Sequence, residues 1–226
     1  MAFVGLFAQR MHLRRGEKIM TELEKSYQIE IAGVGGTGVL TAANLLGNTA
    51  LIQSVHVVQS EIHGMAQRGG VVNTDVRLGP IAGPLIPEGG ADVLLSFEAG
   101  ETARAIRKLK PQKGYVIMTS HIIVPPSLSM KKGAKYPEIE SIVSKVKEFT
   151  ENVYVIDAFQ IAKEVGDTRT QNVVLIGSLF ALPDFPLTKE SFEQALKIRF
   201  KGKDAVIKMN LEAFDRGYNT MKDLLK

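Results

Sequence analysis

The stretch that decides the fold reads Ile29-Glu30-Ile31-Ala32-Gly33-Val34-Gly35-Gly36-Thr37-Gly38-Val39-Leu40, a short apolar strand running into a cluster of glycines and then a helix. Glycine is costly to order, so such a cluster marks a place where the backbone must turn sharply and come close to something. The run fits G-x-G-x-x-G and stands where a strand hands over to a helix, the context that motif requires. Amides of the turn and of the first helical turn then point at one spot, with the positive end of the helix dipole behind them. That spot suits a phosphate or diphosphate. Gly33, Gly35, Gly36, Thr37 and Gly38 are therefore candidate ligand contacts, although the same residues also serve a tight strand-to-helix turn that binds nothing.

Working outward, short β-branched runs alternate with helical patterns, which predicts a layered α/β sheet. Strands are expected at 27–32, 55–59, 71–78, 92–97, 115–119 and 153–156. Helices are expected at 39–50, 100–109, 138–148, 158–165, 172–182, 189–200 and 211–224. Val72, Thr74, Val76 and Leu78 alternate with Asn73, Asp75 and Arg77, so that strand has one buried and one wetter face and is antiparallel or near an edge. The fold class is α/β, a three-layer α/β/α arrangement with a mixed, mostly parallel sheet and a helical C-terminal cover. Thr188 is a plausible N-cap. The helix at 172–182 is apolar nearly all round, with Gly177, Ser178 and Ala181 as its small residues. Such a helix must be buried, in the core or under a subunit interface, and the interface is the favoured reading.

The chain of 226 residues is 45% hydrophobic and 23% charged, the balance of an ordinary globular protein. Residues 1–20 read as an N-terminal tail, disordered or an over-long start, and 21–226 as a single α/β domain. The net charge of +4 comes mostly from Arg10, Arg14, Arg15 and Lys18 in that tail, so it is no nucleic-acid footprint. No apolar run approaches membrane-spanning length, and no secretory signal is recognisable. No nucleic acid or membrane partner and a cytoplasmic location are the expectations. Cysteine is absent, which excludes disulfides, thiolate-held iron–sulfur clusters and a cysteine nucleophile. No metal-ligand spacing appears among the histidines.

A second unusual segment, Ser60-Glu61-Ile62-His63-Gly64-Met65-Ala66-Gln67-Arg68-Gly69-Gly70, is read as a loop directly after the second strand. Ligands in open α/β sheets sit outside the carboxyl ends of strands, so this loop and the glycine turn should be neighbours. Arg68 could grip a phosphate or carboxylate with two prongs, or pair with Glu61 or a partner subunit. His63 could donate to a ligand or exchange a proton, or be a satisfied structural group, the favoured reading. Gln67, Gly69 and Gly70 complete the candidate set, the two glycines most simply allowing a tight approach to the next strand. Glu61 lies roughly 20 residues past the glycines, where a dinucleotide fold holds a ribose. A free-standing NAD(P)- or flavin-binding dehydrogenase is thus a rival reading. Asp157 and His121, also at strand ends, are read as a helix cap and a turn residue.

Taken together, Gly33-x-Gly35-Gly36-x-Gly38-Val39, Arg68-Gly69-Gly70, Asn172-x-x-x-x-Gly177 and Asn210-x-x-Ala213-Phe214-x-x-Gly217 resemble the gamma-type module of 2-oxoacid:ferredoxin oxidoreductases over roughly residues 27–220. Within that family the segment from Ser60 to Gly70 is most similar to the beta subunits of indolepyruvate ferredoxin oxidoreductases. Thr37 departs from the pattern, since many relatives have glutamine there. The resemblance implies a complex that oxidatively decarboxylates arylpyruvates such as indolepyruvate to the arylacetyl-CoA, with ferredoxin taking the electrons. It implies a larger alpha subunit holding thiamine diphosphate and the iron–sulfur clusters. It also implies that Gly35, Gly36, Thr37 and Gly38 contact the diphosphate of coenzyme A, and that this chain is inactive alone.

Overall fold

The computed structural model describes residues 23–63, 70–124 and 135–226. One six-stranded sheet organises them, formed by β1 (Tyr27–Val34), β2 (Val57–His63), β3 (Val71–Leu78), β4 (Val93–Ser96), β5 (Tyr115–Thr119) and β6 (Val153–Ile156). Their spatial order is β2-β3-β1-β4-β5-β6. β1, β4, β5 and β6 are mutually parallel, whereas β3 runs antiparallel to both of its neighbours. The sheet is therefore mixed and mostly parallel, as expected, and the antiparallel strand is the one whose alternation announced it.

Seven helices among the described residues cover the two faces: α1 (Val39–Ile52), α2 (Ala99–Ala105), α3 (Ile139–Lys147), α4 (Ala158–Val165), α5 (Gln171–Phe180), α6 (Lys189–Arg199) and α7 (Asp204–Leu224). Ile29, Ile31, Val76, Leu78, Val93, Leu95 and Ile117 pack with α1 and the four C-terminal helices. Ala32, Leu94, Val116 and Met118 pack on the other face with α2, α3 and Ile106 of the short 3₁₀ turn after α2. Alternate residues of each strand point to opposite faces, which is why one sheet feeds two cores.

Three elements differ from expectation by more than two residues. Ser60–His63 belong to β2 and pair in register with Val72–Asp75. Polar residues are tolerated there because β2 is the edge strand. The expected helix at 100–109 splits into α2 and the 3₁₀ turn at Ile106–Lys108. The last helix starts at Asp204, just after Gly202 turns the chain with φ +79°.

The apolar helix α5 also corrects an expectation. Every residue from Asn172 to Phe180 is buried within this chain, so α5 threads the core and presents no face for a subunit interface. Its cover is α7, and the approach is as close as two backbones allow. A Cβ on Gly177 would sit 2.1 Å from the Phe214 carbonyl oxygen, and one on Gly217 would sit 1.9 Å from that of Val174. Ser178 Oγ donates across the same seam to the Gly217 carbonyl at 3.1 Å. Beyond it, Phe180, Phe192 and Phe214 form a cluster of rings.

Candidate functional site

The glycine turn leaves the carboxyl end of β1, and its residues divide by role. Gly33 is packed in: a Cβ there would meet Val39 at 2.8 Å and Phe97 at 2.9 Å. The Gly35 N–H donates to the Gly70 carbonyl at 2.8 Å, so the β2–β3 connection reaches the turn as expected. Thr37 closes the turn, its N–H (3.1 Å) and its hydroxyl (2.8 Å) both donating to the Val34 carbonyl. Gly38 caps α1 at φ +93°, and a Cβ there would collide with the Asn172 side chain, Nδ2 at 2.9 Å. Gly36, unlike Gly33 and Gly38, faces open space. Its φ is +102° and a Cβ would find nothing within 4 Å.

Above this turn the amino end of α1 is open among the described residues. No side chain caps it, its first turn holds no acidic residue, and the first helical bond is Ala42 N–H to the Gly38 carbonyl. The amides of Gly38, Val39, Leu40 and Thr41 thus have no acceptor among the described residues, a cluster of donors backed by the helix dipole. The chain leaves β1 for α1 on one face and leaves β4 for α2 on the other. The crevice between these two strand ends is the place where such sheets bind ligands.

Glu98 follows the end of β4 and stands at the amino end of α2. It is buried (2% exposed), and one carboxylate oxygen caps α2 by accepting from the Glu101 N–H at 3.0 Å. The other accepts from the Tyr136 hydroxyl and, at 3.4 Å, from the Ile123 N–H. The Tyr136 hydroxyl accepts in turn from the Gly100 N–H at 2.6 Å. Burial first, and then the hydrogen bond to Glu98, push the Tyr136 hydroxyl well above the usual phenol range. Sequence reasoning missed both residues, since glutamate is an uncommon N-cap and Tyr136 arrives from a distant loop. It also gave Asn172 no role, though here that side chain fills the space beside Gly38.

The remaining candidates are spread. Glu61 lies on β2 opposite Thr74, and His63 ends the same strand. Gly70 opens the backbone to the turn, while Gln67, Arg68 and Gly69 lie outside the described residues. Asp157 caps α4 through the Gln160 N–H at 3.0 Å. His121 stacks on Phe159, ring centroids 4.3 Å apart. Both fill the structural roles expected of them.

Residues 28–220 match the family model described as pyruvate ferredoxin/flavodoxin oxidoreductase. The chain belongs to that family. Its sequence is 42% identical over 203 residues to the indolepyruvate oxidoreductase subunit IorB of Pyrococcus horikoshii, covering 89% of this chain and 98% of that one. The fold is similar to that of the gamma subunit of a keto/oxoacid ferredoxin oxidoreductase from Geobacter sulfurreducens, with a TM-score of 0.60, 22% identity and coverage of 86% and 98%. It is similar too to 2-oxoglutarate:ferredoxin oxidoreductase from Magnetococcus marinus, solved with 2-oxoglutarate, coenzyme A and succinyl-CoA bound. There the TM-score is 0.65 at 23% identity, covering 89% of this chain and 32% of that longer one.

The family pattern now has physical content in this member. Asn172 packs on Gly38, Gly177 and Gly217 let α5 and α7 touch through backbone, and Ala213 and Phe214 fill the core between them. Most of that signature builds the scaffold behind the turn. Among the described residues no helix is long and apolar enough to cross a membrane, and no group of three His, Asp or Glu is placed to hold a metal ion.

Proposed function

We propose that this chain is the cluster-free subunit of a ferredoxin-linked 2-oxoacid oxidoreductase that turns arylpyruvates, indolepyruvate among them, into the arylacetyl-CoA. Its own task is to seat coenzyme A and to hold the catalytic subunit in register. The observation that carries the reading is the pairing of an uncapped α1 amino end with Gly36, whose open face lets a ligand approach the backbone. A diphosphate there accepts from the amides of Gly36 and of Gly38 to Thr41, with the helix dipole behind them. Gly33, Gly35 and Thr37 hold the turn in shape. Arg68, on the connection that ends at Gly70, is the candidate cation for the same anion. Gly70, whose carbonyl accepts from the Gly35 N–H, meets the turn from the β2–β3 side, and Glu61, His63, Gln67 and Gly69 remain candidates from the same stretch of sequence. Support comes from the relatives named as indolepyruvate oxidoreductase subunits and from the coenzyme A bound in the Magnetococcus enzyme.

Thiamine diphosphate and iron–sulfur clusters, which supply the decarboxylation and electron-transfer chemistry, belong in this reading to a larger alpha subunit. A chain without cysteine has no thiolates to hold a cluster. The chain alone is inactive, ferredoxin docks on the complex, and the assembly works in the cytoplasm. The dehydrogenase reading is disfavoured by topology. β3 stands between β1 and β2, so Glu61 is two strands from the glycine strand, about 10 Å, instead of on the adjacent one.

The test compares Gly36→Ala with Gly36→Leu in the assembled complex. Both carry the same backbone strain at φ +102°, so their difference isolates bulk at the open face. The leucine variant should raise the KM for coenzyme A several-fold over the alanine variant while the KM for the oxoacid stays level. Equal effects on both substrates refute the assignment.

A further inference from the structure

The two helices that flank the β1/β4 crevice offer it very different amino ends. Those of α1 are open, as described above. At α2 two of the amides are taken by side chains of the chain itself, Gly100 by the Tyr136 hydroxyl and Glu101 by the Glu98 carboxylate, and Thr102 starts the helical bonds by donating to the Glu98 carbonyl at 3.3 Å. A buried carboxylate already stands where a second anion would lie, and like charge excludes it. The same carboxylate performs a second task. Ile123 and Tyr136 stand at the two ends of the connection from β5 to α3, and both donate to one oxygen of Glu98. Gly100 permits this, since a Cβ there would come within 2.7 Å of the Tyr136 hydroxyl. Phe97, the residue before Glu98, is in turn bonded through its N–H to the Ala32 carbonyl at 2.8 Å and packs on Gly33. A continuous chain of contacts therefore runs from the stems at Ile123 and Tyr136, through Glu98 and Phe97, to the glycine turn.

We propose that Glu98 and Tyr136 are positioning residues for the coenzyme A site, tying both stems of the β5–α3 connection to the end of β4 and reserving the anion seat of the crevice for α1. The proposal rests on the coenzyme A reading above. Neither residue contributes to decarboxylation or electron transfer, so their loss acts on one substrate only.

The test uses the complex assembled with its large subunit, and reads kcat and the KM of each substrate for wild type, Tyr136→Phe, Glu98→Gln and Thr188→Ala. Thr188 caps α6 and bonds to Gln53 at the far end of α1, so its variant controls for loss of stability alone. Tyr136→Phe keeps the ring and removes the hydroxyl that joins Glu98 to Gly100. It should raise the coenzyme A KM about five- to tenfold, the worth of one misplaced hydrogen-bonded element, with kcat and the oxoacid KM within twofold. Glu98→Gln, which keeps an acceptor but drops the charge, should give a smaller rise of the same kind, and it carries the test if Tyr136→Phe fails to assemble. Thr188→Ala should leave the coenzyme A KM at its wild-type value. An unchanged coenzyme A KM in both site variants, or equal changes in every parameter, overturns the proposal. Turnover of the wild-type complex that does not require coenzyme A overturns the underlying reading instead, and is recognised before any variant is made.

Discussion

Replacing Gly217 by alanine should destabilise this protein, although alanine is the better helix former. At Gly217 the added Cβ lies 1.9 Å from the Val174 carbonyl oxygen and 2.7 Å from its carbonyl carbon. These are backbone atoms of α5, which cannot rotate away, so α5 and α7 must part by about 1 Å or more to reach an ordinary contact. Overpacking of a well-filled core costs about 3 kcal/mol at the upper end of its usual range. The shift also breaks the bond from Ser178 Oγ to the Gly217 carbonyl, about 1 kcal/mol. Alanine returns about 1 kcal/mol of helix propensity. The net loss is about 3 kcal/mol, or a Tm lowered by roughly 6–12 °C for a chain of this size. Thermal unfolding followed by circular dichroism reads it directly. Gly83→Ala, where a Cβ meets nothing within 4 Å, is the control and should leave Tm nearly unchanged. A Gly217→Ala protein with a Tm equal to or above wild type would refute the argument, because propensity alone would then rule the site.

Other outcomes follow from charge and capping. The Glu30 carboxyl is pushed up to about 9, chiefly by burial, with the hydrogen bond to and charge of Asp75 adding and Lys108 opposing. The folded state thus keeps a proton that the unfolded chain releases, so this group's contribution is complete below its ordinary range near 4.5 and is lost as pH rises toward 9. Glu30→Gln, neutral at every pH, should flatten the fall of Tm between pH 5 and 9 (about the span between those two values), and parallel Tm–pH curves would count against it. Asp75→Ala leaves Lys108 facing Glu30 alone and frees the Ile86 N–H; it should cost about 3 kcal/mol in denaturant unfolding. Thr188→Ala removes the cap of α6, whose side chain accepts from the Ser191 N–H, and should cost about 1 kcal/mol in the same assay.

The local grammar of this chain was legible in advance because it obeys short-range rules. Strands β3, β5 and β6 and helix α4 fall where alternation and periodicity put them, and Asp157 and Thr188 cap as their residue types demand. Ser60–His63 were harder. Polar residues beside a glycine-rich segment read as loop, and only pairing with β3 makes them strand. Asp75 shows the same limit. Its place in an alternating pattern suggested a wet face, yet it is 2% exposed, paired across the sheet with Glu30 and met by Lys108 at 2.8 Å. An alternation tells which residues share a face but not what covers that face.

The glycine cluster, the absence of cysteine and the order of spaced motifs settle by themselves the fold class, the family and the exclusion of thiolate chemistry. Each is a property of residue type and spacing along one chain. Tertiary structure alone decided which glycines are scaffold and which is open, since that depends on Phe97, Val39 and Asn172 arriving from elsewhere. It alone turned the small residues of α5 into a seam with α7 and not a subunit interface. It also linked Tyr136 and Glu98, through Phe97, to the glycine turn. A carboxylate's role is set by the donors that reach it, and two of the donors to Glu98 come from the β5–α3 connection, 25 and 38 residues along the chain, which no local pattern ties to it.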